Sequence, residues 1–79
     1  MTIEIKMPRL RPEMRAGVLC AWLKEEGDFV RRGEPIFEVE TDKVVEQIEA
    51  EEDGRIIQLL LEEGDTAEVE STLAIMEVK

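Results

Sequence analysis

Apolar and polar residues along this chain alternate mainly with a period of two. Ile3, Ile5 and Met7 interleave with Thr2, Glu4 and Lys6, and alternation recurs in Ile36-Phe37-Glu38-Val39 and Val44-Val45-Glu46-Gln47-Ile48. This period sends successive side chains to opposite faces of a strand. Val18 to Leu23 and Ile56 to Leu61 are more continuously apolar, and a short helix competes with a strand for both. Strand is preferred, because the runs are short, glycines bracket them and turn residues recur at near-regular spacing. Pro8 ends the first strand by withholding a donor. The pattern predicts eight short strands, near residues 2–7, 17–24, 29–31, 36–40, 44–49, 54–61, 66–69 and 72–78. The run from Val18 to Leu23 is expected to be covered on both faces.

The chain also repeats itself. A shift of 37 residues lays Glu25-Glu26-Gly27-Asp28 on Glu62-Glu63-Gly64-Asp65, Gly17 on Gly54, Leu23 on Leu60 and Glu40 on Glu77. These are seven identities in the 24 residues from Gly17 to Glu40, joined by Leu19 with Ile56, Ile36 with Leu73 and Val39 with Met76. Two copies are too few for a solenoid but suit a closed structure with an approximate two-fold axis. Strands joined this way bury one face each, so an all-β sandwich or flattened barrel of two packed sheets is expected. Gly27 and Gly64 supply positive φ at tight turns, where Asp28 and Asp65 hydrogen-bond the backbone. Gly33 has Glu70 as its counterpart, so the second turn is expected to differ in conformation or to carry strain.

Size and composition narrow the function. Seventy-nine residues make one small domain, which buries only about 60% of its unfolded surface. The chain has one cysteine and no histidine, so internal disulfides, zinc-type ligand clusters and Ser/Cys/His catalytic constellations are all excluded. No catalytic or metal-binding residue is therefore assigned, and a freestanding enzyme is not expected. Twenty acidic against ten basic residues give a formal charge of −10, which disfavours nucleic acid and anionic membranes as partners. No run approaches the roughly 18 apolar residues of a membrane helix, and no signal-peptide segment follows Met1. Cys20, inside an apolar run, fits a reduced compartment and reads as a small core residue.

One lysine stands out. Lys43 follows Glu40, Thr41 and Asp42 and precedes Val44, between two apolar runs. Thr41, Asp42 and Lys43 are expected to form the tight reversal of a hairpin, with the ammonium projecting from its tip. A long flexible side chain on a stiff protrusion suits a tethered group that must enter other proteins' active sites; a solvated turn lysine is the plainer alternative.

Lys6-Met7-Pro8, Gly17-Val18-Leu19, Trp22-Leu23 and Glu26-Gly27-Asp28-Phe29-Val30 make up the first part of a recognisable pattern. Gly33-Glu34-Pro35-Ile36, Glu38-Val39-Glu40-Thr41-Asp42-Lys43, Gly54 and Gly64-Asp65 complete it. The whole resembles the lipoyl domain carried by the dihydrolipoyl acyltransferase component of 2-oxo acid dehydrogenase complexes. The resemblance implies two four-stranded antiparallel sheets related by a two-fold axis, with lipoic acid amide-linked to Lys43 and the termini at the opposite end. It further implies a swinging arm serving a thiamine diphosphate-dependent 2-oxo acid decarboxylase, the acyltransferase catalytic core and a dihydrolipoyl dehydrogenase flavoprotein. A lipoate-protein ligase would modify the lysine. Glu40, Thr41, Asp42 and Val44 are the candidate recognition residues around it, and Asp42 serves either recognition or the turn. Arg9, Arg11 and Arg15, half the chain's arginines, form either a partner-selecting loop or a solvated one. Family members often have alanine after the lysine and glycine in the first loop, where this chain has Val44 and Arg11. The expected whole is residues 1–79 as a single monomeric domain excised from a longer prokaryotic cytoplasmic protein. Rival readings are a biotin carrier, which typically flanks its lysine with methionines, and an unmodified protein-binding sandwich.

Overall fold

The computed structural model describes residues 1–79 and contains eight strands and no helix. They are β1 (Thr2–Lys6), β2 (Ala16–Trp22), β3 (Phe29–Val30), β4 (Pro35–Thr41), β5 (Val44–Glu49), β6 (Gly54–Leu59), β7 (Thr66–Glu68) and β8 (Thr72–Glu77). Two four-stranded sheets, ordered β1-β8-β6-β3 and β5-β4-β2-β7, are antiparallel throughout. All eight expected strands are present, and the sandwich expectation holds. Leu19, Phe37 and Val39 of one sheet face Ile56, Leu73 and Met76 of the other in a core where each is fully buried or nearly so. Trp22 closes one edge, its ring 5.5 Å from Phe37 and its Nε1 donating to Leu61 O at 2.8 Å.

The repeat is physical. Exchanging β2 with β6, β3 with β7, β4 with β8 and β5 with β1 turns one sheet order into the other. The turns of each half hold the other half's strand by matching bonds. Gly27 N donates to Ile56 O at 2.6 Å, and Gly64 N to Leu19 O at 2.7 Å. Ile56 N returns a bond to Asp28 O, and Leu19 N to Asp65 O, both at 2.9 Å. Asp28 and Asp65 accept through Oδ2 from Glu25 N and Glu62 N, the local turn chemistry the sequence implied. Glu26 and Glu63 do more: their carboxylates accept from Leu59 N and Trp22 N across the two-fold axis. Those side-chain bonds coincide with the ends of β2 and β6, which stop at Trp22 and Leu59, short of the predicted residues 24 and 61.

Two expectations need comment. The run from Val18 to Leu23 is not covered on both faces: only Leu19 is buried, and Leu23 is 40% exposed. Both sheets belong to a two-layer sandwich, so nothing packs outside β2. The anticipated strain at Glu70 is present, for its φ of 76° repeats the 91° of Gly33 despite its Cβ. The symmetric glycines Gly17 and Gly54 have a packing reason. A Cβ on Gly17 would lie 2.8 Å from Val39 Cγ1, and one on Gly54 would lie 3.0 Å from Met76 Cγ and 2.4 Å from Glu77 O.

Symmetry fails at one connection. Residues 50–53 link β5 to β6, whereas residues 7–15 link β1 to β2, nine residues against four. The longer link holds all three loop arginines.

Candidate functional site

β4 and β5 pair in register up to Thr41↔Val44, leaving Asp42 and Lys43 as a two-residue turn. Both have positive φ, 48° and 65°, as a type I′ turn requires to match the right-handed twist of its strands. Asp tolerates this conformation; lysine has no such aptitude, and glycine is the usual occupant of the second position. The turn is one residue shorter than the sequence suggested. Thr41 ends β4 and is only 9% exposed, so it lies beneath the turn rather than in it. Lys43 is exposed and makes neither an ion pair nor a hydrogen bond, leaving its amine free at the apex. Val44 and Val45, on opposite faces of β5, are 46% and 51% exposed beside it.

The hairpin is braced on its inner face. Arg11 Nη1 donates to Thr41 Oγ1, and Nη2 to Glu46 Oε1 at 3.3 Å. Thr41, Glu46 and Val39 all face inward, since Thr41 alternates with Val39 along β4 and Val39 lies opposite Glu46. The outer face of the same sheet is acidic. Glu40 lies between Val18 and Val45, Glu38 between Ala21 and Gln47, and Asp42 stands at the tip. Cys20 shares that face: burial first, then Glu40 and Glu38, push its thiol above its usual range. It is a protonated thiol at neutral pH.

Hairpin and termini occupy opposite ends of a body 34 × 22 × 19 Å in extent. β5 runs away from Lys43 toward Glu51-Glu52-Asp53, and these line a broad cleft with Met1, Val78 and Lys79. That cleft is the larger concavity, but it lies far from the exposed amine. A smaller groove next to the hairpin is lined by Arg11, Arg15, Glu40, Thr41 and Asp42, among others.

Glu40, Asp42, Lys43 and Val44 thus cluster as exposed groups at one end, with Thr41 buried at their base. The three arginines part company. Arg11 is spent on the hairpin, and Arg9 Nη1 donates to Pro12 O at 3.1 Å and to Met14 O at 2.5 Å within its own loop. Arg9 and Arg15 are both exposed and outside any ion pair, and of the two only Arg15 also makes no side-chain hydrogen bond. Sequence reasoning did not assign Glu46; its sole signal was a carboxylate at an inward position of an alternating strand.

Comparison with known proteins shows the family and the fold. The sequence profile described as "Biotin-requiring enzyme", the biotin/lipoyl family, matches residues 3–76. A dihydrolipoyllysine-residue succinyltransferase component of the 2-oxoglutarate dehydrogenase complex from Staphylococcus saprophyticus is 44% identical over 73 residues, 92% of this chain and 17% of that protein. The dihydrolipoyllysine-residue acetyltransferase component of the pyruvate dehydrogenase complex from Zymomonas mobilis is 42% identical over 77 residues, 96% of this chain and 18% of that protein. The chain therefore spans less than a fifth of these relatives' length. Among solved structures, the lipoyl domain of the 2-oxoglutarate dehydrogenase complex from Azotobacter vinelandii superposes with a TM-score of 0.79 at 37% identity, covering 96% of both chains.

Proposed function

We propose that Lys43 is the point of covalent lipoate attachment in this chain, which belongs to the biotin/lipoyl family and is a lipoyl domain of the 2-oxo acid dehydrogenase type. One observation carries the assignment: a lysine occupies a left-handed turn position that glycine would fill without strain. The chain keeps an amine there at a cost in stability. None of the other three lysines shares the setting. Lys24 is half-buried and paired with Glu34 at 3.4 Å, Lys6 ends β1, and Lys79 is the last residue.

The site fits an amide-linked acid. Lys43 is exposed, no counter-ion must be displaced, and a two-residue turn on a braced hairpin gives the amine a stiff base. Amide formation removes one positive charge, so nine cationic against twenty acidic residues leave −11 in place of −10. When bound, a lipoyl group supplies a disulfide able to carry an acyl group with two reducing equivalents. The chain's own contribution is positional. Its rigid hairpin lowers the ordering entropy opposing docking to the ligase, and tethering makes each transfer effectively intramolecular. The outer carboxylates Glu38 and Glu40, with Asp42, steer electropositive partner surfaces toward the tip. No residue here acts as acid, base or nucleophile in acyl transfer. The domain is a non-catalytic carrier, and a lipoate-protein ligase is its modifying enzyme. Its clients are a thiamine diphosphate-dependent 2-oxo acid decarboxylase, an acyltransferase core and a dihydrolipoyl dehydrogenase.

Biotin is the weaker fit. Asp42 and Val44 flank the lysine, while Met7, Met14 and Met76 are buried and Met1 lies at the far end. Incubation with lipoate ligase, lipoate and ATP should raise the intact mass by one lipoyl group, and Lys43→Gln should fold yet gain nothing. A mass gain that persists in Lys43→Gln, on Lys6, Lys24 or Lys79, defeats the assignment. Modification by a biotin ligase alone, or by neither ligase, would support the rival carrier or the unmodified binding module.

A further inference from the structure

The connection that breaks the two-fold symmetry is built as a platform. Met14, 7% exposed, anchors the loop of residues 7–15 in the core, and its Cε would lie 3.1 Å from a Cβ on Gly17. Leu10 N donates to Met14 Sδ at 3.3 Å and Met14 N to Arg11 O at 3.1 Å, while Arg9 ties the same turn through Pro12 O and Met14 O. The loop thus has a shape of its own. Arg11 is its one side chain that hydrogen-bonds across to the hairpin, joining positions 30 and 35 residues away at Thr41 and Glu46. The hairpin needs such a brace. β5 is the edge strand of its sheet, and the turn that starts it contains two positive-φ residues, of which Lys43 is strained. Thr41 is only 9% exposed, so losing the guanidinium leaves its hydroxyl without that donor and the inward Glu46 carboxylate without its counter-charge. A lysine in place of Arg11 would present a single ammonium where a planar fork meets two acceptors.

Building on Lys43 as the acylated residue, we infer that Arg11 is a positioning residue for that site: its bridge to Thr41 and Glu46 sets the hairpin conformation in which the Lys43 amine is presented to the acylating enzyme. The loop acts through the hairpin, and Arg11 does not touch the enzyme. Without the bridge, the hairpin samples further conformations, and docking must select among them.

The test combines hydrogen exchange with steady-state lipoylation of the intact 79-residue chain. Arg11→Ala should speed amide exchange at Thr41 to Val45 by about tenfold relative to the rest of the sheet. It should raise KM for the domain about five- to tenfold, with kcat changed less than about twofold. Glu46→Ala removes the Nη2 half of the bridge, should give the same changes at smaller size, and carries the test should Arg11→Ala fail to fold. The double variant should be no worse than Arg11→Ala alone, because Arg11→Ala already removes the bond to Glu46. Additive losses in KM with hairpin exchange unchanged would place Arg11 against the enzyme and overturn the inference. Unchanged exchange with unchanged KM would overturn it as well. A wild-type chain that takes up no lipoate would sink the functional reading instead, and exchange would still decide whether the bridge holds the hairpin.

Discussion

Replacing Lys43 by glycine should make this protein more stable while abolishing its modification. Lys43 sits at a φ of 65°, where a Cβ crowds the following carbonyl. That conformation costs a non-glycine residue about 1–2 kcal/mol. Against the relief stands the greater freedom of glycine in the unfolded chain, about 0.4–1 kcal/mol. Little else changes, because the side chain is exposed and has no partner. The net gain is therefore about 0.5–1 kcal/mol, which raises the melting temperature of a domain this size by roughly 2–6 °C. Lys43→Ala is the control, since it removes the amine but keeps the Cβ and hence the strain. Urea denaturation of the three proteins, with equal m-values, gives the comparison directly. Glycine must exceed both alanine and lysine in midpoint. If Lys43→Gly unfolds at the same urea concentration as Lys43→Ala, or earlier, the turn is not strained at this residue, and the argument that an amine is kept there against stability fails.

Glu70→Gly makes a companion case away from the hairpin. Its φ of 76° predicts a gain of about 0.5–1 kcal/mol with lipoylation untouched, and a loss of stability by calorimetry would contradict the repeat-based account of that turn. Gly54→Ala should cost about 3 kcal/mol, because the new Cβ would meet backbone at Glu77 O; Gly17→Ala should cost about 1–2 kcal/mol, because the side chains of Val39 and Met14 can shift. Equal chemical-denaturation midpoints for the two variants would refute that ordering. Glu34 is a pH probe. The hydrogen bond from Arg31 N first, then the Lys24 ammonium, hold its carboxyl below the ordinary range. Its stabilising contribution is therefore complete above the unfolded-state pKa and disappears as pH falls through the lower folded value. Glu34→Gln should accordingly be less stable than wild type near neutrality and converge with it in acid, and a gap that widens as pH falls would reverse the sign.

Local chemistry was sufficient for much of this protein. Alternation at period two, with glycines and turn residues bracketing the more continuous apolar runs, placed eight strands, and the 37-residue repeat with its Glu-Glu-Gly-Asp turns implied two similar halves. Both signals are carried by neighbours in the chain, as is the placement of Lys43 between two apolar runs. Even the strain at Glu70 was legible, as a missing glycine. Three features required the folded molecule. The single covered face of β2 depends on there being two layers and no third, which no run of apolar residues encodes. The second glutamate of each turn reads as a solvated charge until the two-fold axis brings Leu59 N to Glu26 and Trp22 N to Glu63. Arg11, Thr41 and Glu46 meet only because the longer β1–β2 link folds over the inner face of the hairpin, so a loop arginine, a turn-side threonine and an unassigned glutamate, 30 and 35 positions from the arginine, become one brace. Sequence determines what each residue prefers from its neighbours; which distant groups satisfy one another is decided by packing, because those partners are set by the sheets and not by the chain.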